Sequence, residues 1–69
     1  MKKIQIILNG ETKEVQKGLN IQELLDSMQI KSKLLVVEKN KEIVDKKDYE
    51  SCRIQENDSF EVVGFFGGG

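Results

Sequence analysis

The sequence predicts an α+β roll: a mixed sheet of four to five strands with one main helix packed on one face. Three observations carry this. An Asn-Gly pair at 9–10 separates two strand-like runs, a strongly capped amphipathic segment follows at 20–28, and the apolar runs after it are short and rich in Val, Ile and Phe. A chain of 69 residues allows one small domain.

Residues 3–8, KIQIIL, alternate so that Ile4, Ile6 and Leu8 face a core. Asn9 and Gly10 both tolerate positive φ. A two-residue turn there pairs Ile4 with Val15 and sets Lys13 and Glu11 opposite Ile6 and Leu8. ETKEVQ, at 11–16, is therefore an edge strand whose charges discourage further pairing. In GLNIQELLDSM, at 18–28, Asn20 caps a helix and Glu23, three positions on, closes a capping box, while Leu19 and Leu24 form the matching hydrophobic staple. Ile21, Leu24, Leu25 and Met28 recur at helical spacing and give one apolar stripe, which needs a sheet face to cover. KLLVVEKN at 33–40 and KEIV at 41–44 read as two strands turning at Asn40. DKKDYESCR at 45–53 is too polar for a core strand and reads as an irregular connection. QENDS at 55–59 is a turn cluster, and FEVVGFF at 60–66 is the final strand. Strands on both sides of a single helix suggest a roll whose last strand lies beside the first, a pairing that periodicity alone does not supply.

Composition narrows the function. Hydrophobic residues at 38% and charged residues at 33% belong to a globular module and not to a disordered tail. The net charge of -1, with both signs interspersed, concentrates no cationic field and argues against nucleic acid as a partner. No apolar run approaches the roughly 20 residues of a membrane helix, and no leader is expected before the first strand. With Cys52 as the single cysteine, no internal disulfide is possible, so a cytoplasmic location is expected. The absence of His excludes His-based acid–base chemistry and His-ligated metal. The carboxylates fall on edges, turns and the helix surface, so neither a catalytic residue nor a metal site is expected.

Hairpin, capped helix, short strands and a terminal diglycine together resemble the β-grasp (ubiquitin-like) fold. Within that fold the chain resembles the ThiS family, the bacterial sulfur carriers of thiamin biosynthesis. The stretches that carry the likeness are ILNGE at 7–11, GLNIQELL at 18–25, VVEKNKEIV at 36–44 and NDSFEVVGFFGGG at 57–69. It covers essentially the whole chain. One departure is Gly64, where ThiS-like chains often carry a larger, polar residue, and which could loosen the last strand. The resemblance implies a β-grasp domain at 1–66 and a flexible glycine tail at 67–69. It also implies a carrier that serves as co-substrate and not an enzyme. A ThiF-like activating enzyme would use ATP to adenylate the Gly69 carboxylate. Sulfur from a persulfide donor would replace AMP to leave a thiocarboxylate, and a ThiG-like thiazole synthase would receive it. No cofactor is bound by the chain itself.

Glycine suits such a tail. Three extended residues reach about 10 Å into a recessed site, and without Cβ atoms they let a partner's backbone approach closely. Ordering each costs roughly 1–2 kcal/mol, which contacts elsewhere must offset. In the last strand Phe60, Val62 and Phe66 are expected to face inward and Val63 and Phe65 outward, with Ile7 beside them if the first and last strands pair. Gly67, Gly68, Phe65, Phe66, Val63 and Ile7 are accordingly the partner-binding candidates, and Gly69 the site of covalent modification. Partial burial under the 45–53 connection is the alternative for Val63 and Phe65. Cys52, with only Arg53 as a positive neighbour, reads as a structural side chain. Lys39, Lys41, Lys46 and Lys47 read as solvated surface or as steering charges for an acidic partner. Two other functions fit the same pattern. One is the small subunit of molybdopterin synthase, whose approach to the diglycine contains Pro, a residue this chain lacks. The other is a ubiquitin-like modifier or binding module.

Overall fold

The structure, a computed structural model, describes residues 2–30 and 34–65, with the backbone alone at Phe65. Its strands are β1 (Lys3–Leu8), β2 (Glu11–Gln16), β3 (Leu34–Lys39), β4 (Glu42–Val44) and β5 (Ser59–Phe65), with one helix, α1 (Ile21–Ser27), between β2 and β3. They form a five-stranded sheet in the order β2-β1-β5-β3-β4. The β1–β5 pairing is parallel and the other three are antiparallel, so the sheet is mixed and the last strand does lie beside the first.

The first hairpin follows from its turn. Asn9 and Gly10 take φ of 51° and 83°, the left-handed pair that matches strand twist. The register pairs Ile4 with Val15 and Leu8 with Glu11, as the two-residue loop requires. Ile4, Ile6 and Leu8 are buried, while on the outer strand β2 only Val15 is. A second left-handed pair, Asn40 and Lys41 at φ 51° and 72°, turns β3 into β4.

Helix α1 begins at a complete capping box. The Glu23 N–H donates to Asn20 Oδ1 at 2.8 Å, and the Asn20 N–H donates to Glu23 Oε1 at 3.0 Å. Ile21, Leu24 and Leu25 are buried, and Leu19 and Met28 pack at the margin. Ile21 and Leu24 join Ile6, Val37 and Phe60 as the most deeply buried side chains. Each such burial contributes about 1.5–3 kcal/mol.

The 45–53 segment departs from a featureless connection. It holds a short 3-10 turn at Lys46–Asp48 and a bridge from Arg53 to Asn20. It also satisfies donors that α1 cannot satisfy itself: the Ile21 N–H donates to Cys52 O and the Gln22 N–H to Tyr49 O, both at 3.1 Å. Tyr49 and, just beyond, Ile54 enter the core. Two isolated apolar residues in a polar stretch have no period for a pattern to catch. Strand β5 starts at Ser59, one residue earlier than expected, and runs through Gly64 in register with Leu35 without a break. Among the described residues no helix is long and apolar enough to cross a membrane. The expected inward placing of Phe66, the place of Lys33 in β3 and the tail at 67–69 lie outside the described residues.

Candidate functional site

Strand β5 precedes the glycine run in sequence, and two neighbouring strands hold it. On one side β3 pairs with it over six residues, from Lys39↔Phe60 to Leu34↔Phe65. On the other side β1 pairs only at Ile7↔Ser59 and Leu8↔Phe60. There the Ile7 N–H donates to Asp58 O and the Asn9 N–H to Phe60 O, both at 2.9 Å. Past the end of β1 the turn takes over, with Asn9 Oδ1 accepting the Val62 N–H at 2.8 Å.

The start of β5 is pinned by Asp58, the one buried charged side chain among the described residues. Its Oδ2 accepts the Gln55 N–H at 2.8 Å and its Oδ1 accepts from Asn40 Nδ2 at 3.1 Å. Asn40 Oδ1 in turn accepts the Ser59 N–H at 2.9 Å. Lys39 Nζ lies 3.7 Å from Asp58 Oδ2 and donates to Cys52 Sγ at 3.6 Å. Lys39 is thus engaged inside the fold, whereas the sequence suggests a free surface charge. The positive neighbour of Cys52 is Lys39 and not Arg53, which donates to Gly18 O at 2.8 Å. Cys52 itself is half-buried, which fits a structural side chain. Burial, with the Asp45 charge adding, holds the Tyr49 phenol above its ordinary pKa.

Alternation along β5 buries Phe60 and Val62 and turns Glu61 and Val63 to the face away from α1. Val63 is 48% exposed and Ile7 42%, so the 45–53 connection does not cover Val63. Register places both on the same face, because Ile7 pairs with Ser59, which shares Val63's side of the strand. The patch is wider than the sequence suggests. Val36 pairs with Val63 and is half-buried, and Leu34 and Ile43 share that face at 68% and 70% exposure. The backbone of Phe65 continues the row opposite Leu34. The alternation rule could have found these residues, but LLVV offers no polar marker to say which side is which. Glu38 and Glu61, also missed, face each other across β3 and β5. Phe66, Gly67, Gly68, Gly69 and the side chain of Phe65 lie outside the described residues.

Ile7, Leu34, Ile43 and Val63 together form an exposed apolar patch on the face away from α1. Among the described residues no group of three or more His, Cys, Asp or Glu side chains is placed to hold a metal ion. The model of the ThiS family matches residues 6–69, nearly the whole chain. The chain belongs to the ThiS family. It is 41% identical over 63 residues to the sulfur carrier protein ThiS of Bacillus subtilis, covering 90% of this chain and 96% of that one. It is also 32% identical over 66 residues to a thiazole synthase of Paramagnetospirillum magneticum. That match covers 96% of this ThiS-family chain but only 20% of the synthase, so the chain spans about a fifth of that relative's length. The crystal structure of thiamine biosynthesis protein ThiS from Geobacter metallireducens superposes with a TM-score of 0.82 at 26% identity, covering 96% of this chain and all of the other. The five-stranded mixed sheet with one helix is therefore the β-grasp fold of ThiS proteins.

Proposed function

We propose that this chain is a sulfur carrier for thiazole formation in thiamin biosynthesis, acting as a co-substrate of its partner enzymes in the cytoplasm. The observation that carries the reading is the span of the family match, which runs through the last glycine, Gly69. Residues 1–66 are the β-grasp domain, and 67–69 are the tether that presents a carboxylate to partner active sites.

A carboxylate is a poor electrophile. A ThiF-like enzyme uses ATP to convert the Gly69 carboxylate to an acyl-adenylate, with pyrophosphate leaving and AMP becoming the next leaving group. The terminal sulfur of a persulfide donor attacks the acyl carbon and expels AMP, and a thiol opens the resulting acyl disulfide to the thiocarboxylate. That soft anion is the nucleophile delivered to a ThiG-like thiazole synthase. ATP belongs to the activating enzyme, and the carrier binds no cofactor.

The carrier's own part is positional. Ile7, Val63 and Phe65 dock on the partner, while Gly67 and Gly68 thread toward its active site. Burial of one large apolar side chain, about 1.5–3 kcal/mol, offsets the ordering of one or two tail residues. The likeness to a stretch of a thiazole synthase supports the synthase as a partner, since a unit of this kind is there part of the synthase chain itself.

The test is intact-mass measurement after incubation with the activating enzyme, ATP and a persulfide donor. The expected product has one oxygen exchanged for sulfur at Gly69. Deleting Gly69, or capping it as an amide, abolishes the exchange. Sulfur uptake by the amide-capped chain would refute the reading.

A further inference from the structure

The outer face of the sheet carries an arrangement that works against its own stability. Glu38 on β3 and Glu61 on β5 are directly opposite each other, and like charges in that position repel. Neither carboxylate has an ion-pair partner among the described residues. The nearest lysine in sequence, Lys39, points to the other side of the sheet and is engaged with Asp58. Apolar residues flank the pair: Ile43 sits directly across from Glu38, Val36 and Val63 occupy the next outward positions on one side, and on the other side, beyond Ser59 and the Asn40 turn, Ile7 stands opposite Ser59.

A partner cannot cover Ile7, Val36, Val63 and Ile43 without also covering Glu38 and Glu61. A partner seated on those residues would then draw water away from two negative charges 23 residues apart in sequence but paired across the strands. Such desolvation is prohibitive unless the partner supplies a cation at that point. Guanidinium meets the requirement best, since its planar fork of donors can serve two carboxylates at once.

We infer that Glu38 and Glu61 form an anionic clamp for an arginine, or failing that a lysine, on the docking face of the thiazole synthase that receives the sulfur. This deepens the proposed function and rests on it. The synthase is the occupant because a unit of this kind is built into one synthase chain. The free carrier accepts the repulsion, and the complex relieves it. The clamp thereby favours partners with a basic docking face and opposes neutral or acidic ones.

The test titrates the full-length carrier against its cognate thiazole synthase over a series of salt concentrations. The E38Q/E61Q double variant is expected to bind about 30-fold more weakly or worse. Its affinity should depend less on salt, and its thermal midpoint in isolation should be unchanged or raised. E61R is expected to bind more weakly still, and exchanging the facing synthase arginine or lysine for Glu should restore it. Affinity of E38Q/E61Q within about twofold of the unaltered carrier would overturn the clamp. So would a loss seen only with the activating enzyme, or a lowered thermal midpoint that shows the pair to be structural. An unaltered carrier that never acquires sulfur would instead overturn the parent reading.

Discussion

The side chain of Asn9 accepts the Val62 N–H at 2.8 Å, joining positions 53 residues apart. Asn9 is already committed by its φ of 51° to turning the first hairpin. It therefore does two things with one residue: it reverses the chain, and it stands in for the strand that β1 no longer provides beside β5. The second contact steadies the segment that leads to the glycine tail, on the flank where the β1 ladder stops at Leu8↔Phe60. Fold and proposed function meet at this hydrogen bond.

Asn9→Gly separates the two roles. Glycine keeps the positive φ but removes the acceptor, leaving the part-buried Val62 N–H without its partner. We expect a loss of about 1–2 kcal/mol, seen as a thermal midpoint lowered by roughly 4–8 °C for each kcal/mol. Hydrogen exchange at the Val62 amide should accelerate more than at Leu8. An unchanged midpoint with a protected Val62 amide would contradict this.

Asp58 concentrates several bonds on one carboxylate. Asp58→Ala removes the acceptors for Gln55 N–H and Asn40 Nδ2 and leaves Lys39 without its counter-ion. The expected cost is about 2–3 kcal/mol by urea unfolding, because each orphaned group is partly buried. Lys39→Met should cost less, about 1 kcal/mol or under. It gives up only a 3.7 Å ion pair and the contact with Cys52, and keeps its aliphatic stem.

Asn20→Ala tests the helix start separately. It removes the side-chain acceptor for the Glu23 N–H, and also the donor from Asn20 Nδ2 to Glu50 O at 3.1 Å. We expect about 1–2 kcal/mol, toward the upper end of N-cap losses because two bonds go at once. Helical content by circular dichroism should fall together with the unfolding midpoint. A midpoint that does not move would show that the 45–53 connection caps the helix unaided.

The hairpin, the capping box and the apolar stripe of α1 are legible in the sequence because each is written in residues at most a few positions apart. Ile4↔Val15 follows from a two-residue turn, and Asn20 with Glu23 from a spacing of three. Other features are set by partners distant in sequence. Whether Val36 or Val37 faces the core is decided by register with β5, which pairs Val36 with Val63 and leaves Val37 buried. The engagement of Lys39 with Asp58 and Cys52 needs the β3–β4 turn, the β5 entry and the 45–53 segment to converge. The Glu38–Glu61 pair is invisible until that same register is known. The long-range half of the candidate site is thus a product of sheet topology, and short-range periodicity cannot encode it.

Tyr49 makes stability depend on alkaline pH. Burial first, then the Asp45 charge, raises its phenol above the ordinary value of 10.0. The folded chain therefore keeps a proton that the unfolded chain begins to lose near that pH, and unfolding releases it. The contribution is whole below about pH 10 and is lost as pH climbs from there through the raised folded-state value. Comparing urea midpoints of the unaltered chain and Tyr49→Phe across this range isolates the term from lysine titration. The difference between them should shift in favour of Tyr49→Phe as pH rises, and a pH-independent difference would contradict the assignment.

The proposed docking role of the exposed apolar face makes a kinetic prediction that stability measurements cannot mimic. Ile7 and Val63 are 42% and 48% exposed, so Ile7→Ser and Val63→Ser should change folding stability little, within about 0.5 kcal/mol. If these side chains are covered on binding, each substitution forfeits burial of about 1.5 kcal/mol or more, which corresponds to about tenfold in affinity. The proposed contact through Phe65 predicts a loss of affinity for Phe65→Ala as well. The loss belongs to binding in the ground state and the transition state alike, so it should raise KM for the carrier and leave kcat nearly unchanged. Activation by the proposed adenylating enzyme is measured at carrier concentrations below and above KM. Rates should fall about tenfold at low concentration and converge at saturation. Equal rates at low concentration would mean that the partner captures the tail alone and that the apolar face serves something else.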